Sequence, residues 1–249
     1  MNADAQERPS ESTPRGYQTL VVSELLIPLA MLSDDLDALP GKLGGNEVQV
    51  APHEYGVAGA AFLLLGAIIE GSIQGARLRV ASHRSEKKRS VIDHLPALLA
   101  ACDVEAAAEL TDRVEEVLAV RNAVAHSHVW EGEIDSRTMR WTDGPRLIED
   151  RFGDKRHTRI TDGGLVTKRL GMNVLPTKIG RTDVSVAVTT LDELWAALAS
   201  CPESAFFITL HDHWFVKFRG DYMPFCEFVA ALKRDWQPLS TSASDVPNG

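Results

Sequence analysis

The sequence predicts an α+β fold that consists mainly of an α-helical bundle, with a small antiparallel β insertion and a C-terminal extension. Two observations favour this class. Apolar residues recur at helical spacing through most of 17–128 and again through 182–199. Residues from about 129 to 176 instead alternate between apolar and polar around turn-forming residues, which is typical of short strands. The chain has 249 residues, 44% of them hydrophobic, and a formal net charge of −9, so collagen-like and wholly disordered chains are excluded.

The predicted domain organisation is one folded unit between two tails. Residues 1–16 and 238–249 are polar, lack apolar periodicity and are predicted to be disordered. The helical bundle with its β insertion is expected over 17–200. A strand and helix extension is expected over 201–237.

Three further features predict a cytoplasmic protein without a membrane-spanning segment. The first residues contain no apolar leader segment. The longest apolar run, 57–69, is shorter than the roughly 20 residues that cross a bilayer. The three cysteines, Cys102, Cys201 and Cys226, cannot all pair and have no CxxC spacing, which disfavours a disulfide framework and a cysteine zinc site. Cys102 and Cys226 lie in apolar segments and are predicted to be core residues.

The first two helices are predicted over 20–39 and 52–81. Pro28 predicts either a late start or a kink in the first helix. The first half of the second helix is almost wholly apolar, so we expect this helix at the centre of the bundle. Its glycines should permit close approach of neighbouring helices: Gly56, Gly59, Gly66, Gly71 and Gly75.

Two more helices and the β insertion follow. The helices are predicted over 91–102 and from Asp103, as N-cap, to about His126. The alternation over 129–141 predicts a hairpin with turn residues Asp135 and Ser136 at its centre. One or two more strands are predicted over 165–175.

The last third of the chain is predicted to return to helix. Thr182 is expected to cap a helix whose apolar face contains Val184, Val188, Leu191, Trp195 and Leu198. An extended segment over 206–218 and a final helix over 222–236 complete the predicted fold.

The fourth helix carries the most informative pattern. Its apolar seam is interrupted by an arginine where Leu or Val is expected. Burying an unpaired guanidinium costs several kcal/mol, so either a carboxylate pairs with Arg121 or the seam opens there onto a cleft or subunit interface. At 100° per residue, Asn122 and His126 lie 100° and 140° from Arg121, so the three mark one polar sector. The seam positions are Leu110, Val114, Val117, Arg121 and Val124.

The segment Arg121-Asn122-Ala123-Val124-Ala125-His126 resembles the Arg, polar residue, short spacer, His signature of HEPN domains. These are helical-bundle proteins of prokaryotic toxin–antitoxin, phage-defence and CRISPR systems. A preceding long helix with an internal acid, Glu70, is also similar to the family layout, and the resemblance covers roughly 17–128. The β segment that follows departs from the minimal family pattern.

The resemblance implies a metal-independent endoribonuclease that acts as a homodimer without a cofactor. Arg121, Asn122 and His126 would be the catalytic residues, and Glu70 and His128 are secondary candidates. The imidazole would transfer a proton and the guanidinium would hold the scissile phosphate, giving a 2′,3′-cyclic phosphate and a 5′-hydroxyl. RNA and an antitoxin or regulatory protein are the implied partners.

A plainer interpretation stays open for the same residues. Arg121 would simply pair with Glu70 across the bundle, and His126 would lie at a helix C-terminus, where a cation is favoured. The chain would then be a non-catalytic binding or scaffold module.

Other candidate sites are weaker. Two basic clusters could face RNA, although such runs are more often solvated surface and the acidic balance argues against general nucleic-acid binding. The first contains Arg77, Arg79, Arg84, Lys87, Lys88 and Arg89, and the second contains Arg151, Lys155, Arg156, His157 and Arg159. His211 and His213, at strand spacing on one face, would suit a divalent metal and a metal-dependent hydrolase, but no third ligand is identifiable in the sequence.

Overall fold

A computed structural model shows a helical bundle that carries small antiparallel β pairs. This confirms the predicted mainly helical α+β class. The predicted tails, 1–16 and 238–249, lie outside the described residues. The structure describes residues 22–40, 52–80, 90–126, 130–131, 133–135, 137, 140–141, 146–147, 156–161 and 164–236.

Two long helices form the first layer. Helix α1 is Val22–Ala38 and helix α2 is Pro52–Arg79. Helix α1 begins before Pro28, which excludes the late start and leaves a kink as the predicted alternative. Helix α2 packs against α1 and two later helices, as its apolar sequence predicts.

Helix α2 also has the length and hydropathy of a membrane-spanning helix. Within the described part of the chain, its segment His53–Arg79 is the one helix that is long and apolar enough to cross a membrane. However, 56% of its most apolar window is buried inside the fold. More than half of this window therefore packs inside the fold, as in a core helix, and the cytoplasmic location stays a prediction.

The next two helices follow the predicted periodicity, with a correction at one cap. A 3₁₀ turn, Ile92–His94, leads into helix α3, Leu95–Ala101. Helix α4 is Ala107–Ala125 and has Ala106 at its N-cap. Asp103 is therefore not the cap; it lies between the helices with a left-handed φ of 53°.

The β insertion consists of two-stranded antiparallel pairs. Strands β1 and β4 enclose the β2–β3 hairpin along the chain, and β5 pairs with β6. Asp135 pairs with Arg140, so it lies in a strand rather than in the predicted turn. Beyond β6, a single bridge joins Asn173 to Val166, in place of the second strand proposed for 165–175. The strands are β1 Trp130–Glu131, β2 Ile134–Asp135, β3 Arg140–Trp141, β4 Arg146–Leu147, β5 Thr158–Thr161 and β6 Gly164–Thr167.

Helix α5, Arg181–Ala199, buries the whole of its predicted apolar face. Its start differs from the prediction. Asp183, not Thr182, provides the cap, because its Oδ2 accepts a hydrogen bond from the Gly180 backbone N–H at 2.9 Å. Asp183 also accepts a hydrogen bond from the Asn173 backbone N–H at 2.8 Å, which fastens the end of the β insertion to α5.

The C-terminal region contains a helix where an extended segment was predicted. Residues Phe206–His213 form helix α6, so the prediction of strand over 206–218 holds only for β7, Phe215–Phe218. Arg219 and Gly220, with φ of 55° and 87°, turn the chain into β8, Asp221–Pro224. Helix α7, Phe225–Asp235, then packs against α5.

The C-terminal extension and the bundle share one core. The Trp195 ring on α5 lies 5.0 Å from the Phe225 ring and 6.1 Å from the Phe207 ring. Its indole N–H donates to Ser72 Oγ on α2 at 2.8 Å, so this buried polar atom is satisfied.

Candidate active site at the end of the fourth helix

Helix α4 packs its apolar seam against α2 and α5 and leaves its last turn at the surface. Val114 and Val117 are fully buried, as the seam predicts. Arg121 follows at the rim of the seam, with 22% of its side chain exposed. Asn122 is half-buried and His126 is exposed.

Glycines of α2 make room for this part of α4. A Cβ atom at Gly59 would lie 3.3 Å from Val124 Cγ1, and one at Gly66 would lie 2.7 Å from Arg121 Cγ. The predicted close approach therefore occurs at these two positions. The contact between Gly66 and Arg121 was not predicted, although a small residue within an apolar helix indicates close approach by a neighbouring helix.

Glu70 lies one helical turn beyond Gly66 and forms an ion pair with Arg121 through Oε1 and Nη2. Its side chain is 40% exposed, so the pair lies at the edge of the bundle rather than in its core. The Nε atom of Arg121 is buried and has no hydrogen-bond partner among the described residues. Helix α2 therefore covers one side of the Arg121 side chain, and the partly exposed Glu70 carboxylate contacts its Nη2 atom.

His126 ends α4. Its backbone N–H donates to the Asn122 carbonyl oxygen at 3.0 Å, which fixes the last turn. The Cα atoms of Arg121 and His126 are separated by roughly 7.5 Å along the helix axis and 140° around it. His128 lies outside the described residues.

Two members of the first basic cluster, Arg77 and Arg79, lie among the described residues, and both contact neighbouring side chains. Arg77 Nε donates to Gln74 Oε1 at 3.2 Å. The Arg79 guanidinium lies 3.9 Å from the centre of the Phe206 ring, and burial lowers its pKa. The remaining members of this cluster lie outside the described residues: Arg84, Lys87, Lys88 and Arg89.

Two members of the second basic cluster pair with acids on α4. Arg156 Nη2 and His157 Nε2 lie 3.6 Å and 3.1 Å from Glu115 Oε2. Beside them, the buried Glu116 accepts hydrogen bonds from the backbone N–H groups of Arg169 and Leu170, each at 2.9 Å. These contacts fasten the β5–β6 hairpin to α4, so Arg156 and His157 have a structural role. Arg159 is exposed, whereas Arg151 and Lys155 lie outside the described residues.

His211 and His213 do not share a face, because both lie on helix α6, where two positions differ by 200°. The two imidazoles are therefore not placed as a pair of metal ligands, which the sequence offered only as a weaker candidate. His211 instead contacts Asp192 and Asp212 through its two ring nitrogens. Neither of these side-chain contacts was predicted from the sequence.

The comparisons with known proteins add no family assignment. No protein-family model, curated protein or solved structure matches the chain.

Proposed function

We propose that the chain is a metal-independent endoribonuclease whose catalytic residues are Arg121, Asn122 and His126. The observation that carries the proposal is the arrangement at the end of α4. The Arg121 side chain packs on Gly66 of α2. The exposed His126 imidazole lies at the end of α4, the helix that also carries Arg121. This arrangement supports the function implied by the HEPN-like signature.

Each side chain has a chemical role in this reaction. The guanidinium of Arg121 binds the scissile phosphate and offsets the charge that grows in the transition state. The imidazole of His126 transfers the proton of the attacking 2′-hydroxyl or of the leaving 5′-oxygen. The Asn122 amide has no hydrogen-bond partner among the described residues, so it is available to orient the phosphate.

Glu70 is a positioning residue in this proposal. It holds the guanidinium at the rim of the bundle before RNA binds. An RNA phosphate then adds contacts on the exposed side of Arg121. As the HEPN resemblance implies, Arg121 and His126 of two protomers would meet at one cleft, so the active form is a homodimer.

The experiment is RNA cleavage with matched variants. Wild type should cleave single-stranded RNA in the presence of EDTA. His126→Ala and Arg121→Ala should each lower the rate by about 100-fold or more. Arg113→Ala is the matched control, because Arg113 lies on the same helix and pairs with Glu193. It should cleave at the wild-type rate, because Arg113 lies about two helical turns from Arg121 and outside the proposed site.

Two outcomes would overturn this proposal. Full cleavage by His126→Ala would remove the imidazole from the mechanism. Loss of cleavage in EDTA would show that a metal ion takes part in the reaction.

A second candidate function is a non-catalytic binding or scaffold module. The ion pair with Glu70 favours it, because a neutralised guanidinium is a common structural feature of helical bundles. Such a module would bind RNA or a regulatory protein, such as an antitoxin, without cleaving RNA. RNA binding that Arg121→Ala weakens, with intact RNA recovered after long incubation with wild type, would identify this function.

A further inference from the structure

The β7–β8 hairpin brings the end of α6 next to the start of α7. The Arg219–Gly220 turn reverses the chain, and Phe215 pairs with Pro224 at the open end of the hairpin. The Phe225 backbone N–H then donates to the Trp214 carbonyl oxygen at 2.9 Å. The end of α6 and the start of α7, on either side of the hairpin, therefore face one another.

Three different ligand atoms meet at this junction. His211 and Asp212 come from the last turn of α6, and Cys226 comes from the first turn of α7. A ring nitrogen of His211, a carboxylate oxygen of Asp212 and the Cys226 sulfur all lie within 4.8 Å of one another. Each side chain is at least partly exposed, so an ion can enter from solvent.

A second carboxylate, that of Asp192, lies close to the other ring nitrogen of His211. Nε2 lies 2.8 Å from Asp192 Oδ1 on α5, while Nδ1 contacts Asp212. Metal-binding histidines commonly donate their other N–H to a carboxylate, which fixes the tautomer and orients the ring. Asp192 Oδ1 is buried, has no hydrogen bond among the described residues, and lies close enough to accept this N–H once the ring turns toward it on binding an ion at Nδ1.

We propose that His211, Asp212 and Cys226 bind one zinc ion, with Asp192 as the positioning residue behind His211. Thiolate, imidazole and carboxylate are the ligands that zinc uses in proteins. Three protein ligands leave one tetrahedral position for water or a further ligand. The two carboxylates around the imidazole give the site the negative charge that a divalent cation requires.

Binding changes the protonation of the ligands. Burial and the charge of Asp212 raise the pKa of the Cys226 thiol. On zinc binding the thiol proton passes to solvent and the sulfur donates an electron pair to the ion. Nδ1 of His211 donates its lone pair to the ion, and Nε2 keeps its proton.

This site is independent of the proposed ribonuclease site. It uses residues of α5, α6 and α7, whereas Arg121 and His126 lie on α4. The zinc titration contains no RNA, so a failure to bind zinc would not contradict the proposed ribonuclease function. Equally, a failure to cleave RNA would not contradict the zinc site.

The test is titration of the full chain, purified free of metal, with Zn²⁺ against a chromophoric chelator, and with Co²⁺ in an absorption spectrometer. Wild type should bind one zinc ion per chain and give a thiolate-to-cobalt charge-transfer band. Cys226→Ser should lose the band and weaken zinc binding by more than about 100-fold, and Asp192→Asn should weaken it by about 10-fold. His213→Gln is the matched control, because this imidazole lies on the other side of α6, and it should bind zinc as wild type does.

Three results would overturn the proposal. They are no zinc binding by wild type at micromolar concentration, equal zinc affinity in Cys226→Ser, and equal loss in His213→Gln. Asp212→Asn guards against a folding defect, because its side chain is exposed. It should weaken zinc binding while leaving the circular dichroism spectrum of the protein unchanged.

Discussion

Gly66→Ala tests whether helix α2 is shaped to hold Arg121. A Cβ at this position would lie 2.7 Å from Arg121 Cγ, 2.8 Å from Nε and 3.1 Å from Cδ. Cγ is close to the backbone of α4 and cannot swing aside as the tip of a flexible side chain can. The added methyl group therefore forces either a new Arg121 rotamer or a wider separation of α2 and α4.

The size of the effect follows from two opposing contributions. Alanine gains about 1 kcal/mol over glycine in a helix interior, whereas overpacking costs about 1–3 kcal/mol. We expect Gly66→Ala to change the free energy of unfolding by between about 0 and −2 kcal/mol. All three close atoms belong to Arg121. In the Arg121→Ala background the same substitution should therefore stabilise the protein by about 1 kcal/mol, a coupling energy of about 1–3 kcal/mol.

Urea unfolding of the wild type, the two single variants and the double variant measures this coupling. Gly56→Ala is the matched control, because it lies on the same helix and a Cβ there would meet nothing within 4 Å. It should stabilise the protein by about 0.5–1 kcal/mol in either background. If Gly66→Ala behaves as Gly56→Ala does in the presence of Arg121, the packing of Arg121 on α2 is refuted.

Three further predictions concern pH, a buried carboxylate and assembly. Burial raises the pKa of Asp183 from 3.8 to about 6, so the folded protein binds this proton more tightly than the unfolded chain does and loses stability as the pH rises from about 4 to about 6. Urea unfolding across this range should show wild type losing stability relative to Asp183→Asn, and a constant difference would contradict this. Glu116→Ala leaves the backbone N–H groups of Arg169 and Leu170 without an acceptor and should lower the free energy of unfolding by about 2–5 kcal/mol. Glu109→Ala is the control on the exposed side of α4 and should lower it by almost nothing. Equal urea midpoints for the two variants would contradict the Glu116 contact. Light scattering at micromolar concentration should give twice the 27.3 kDa chain mass, and a monomer would count against a shared site.

The sequence predicts the long amphipathic helices well, because apolar periodicity reports which face of a helix is buried. The apolar seam of α4 and the buried face of α5 are of this kind. Short segments are harder to assign. In 206–218, Phe206, Phe207 and Leu210 fit one turn of helix as well as a strand, and packing against α5 decides in favour of helix α6.

Contacts between distant residues could not be predicted in the same way. The sequence places Arg121 in an apolar seam and leaves pairing with Glu70 as one of several solutions, because 51 positions separate the two residues. The neighbours of His211 depend on a hairpin that returns Cys226 to the end of α6. Aspartate is a favoured N-cap residue, yet the N-cap of α4 is Ala106, three residues after Asp103.

The chemistry of the RNA ends tests the central claim most directly. Wild type should be incubated with a short single-stranded RNA in EDTA, and the product ends should be identified by mass spectrometry beside those from His126→Ala. Attack by the 2′-hydroxyl, with Arg121 on the phosphate and His126 transferring the proton, predicts a 2′,3′-cyclic phosphate and a 5′-hydroxyl with wild type and intact RNA with the variant. Products with a 3′-hydroxyl and a 5′-phosphate, or the same products from His126→Ala, would contradict it.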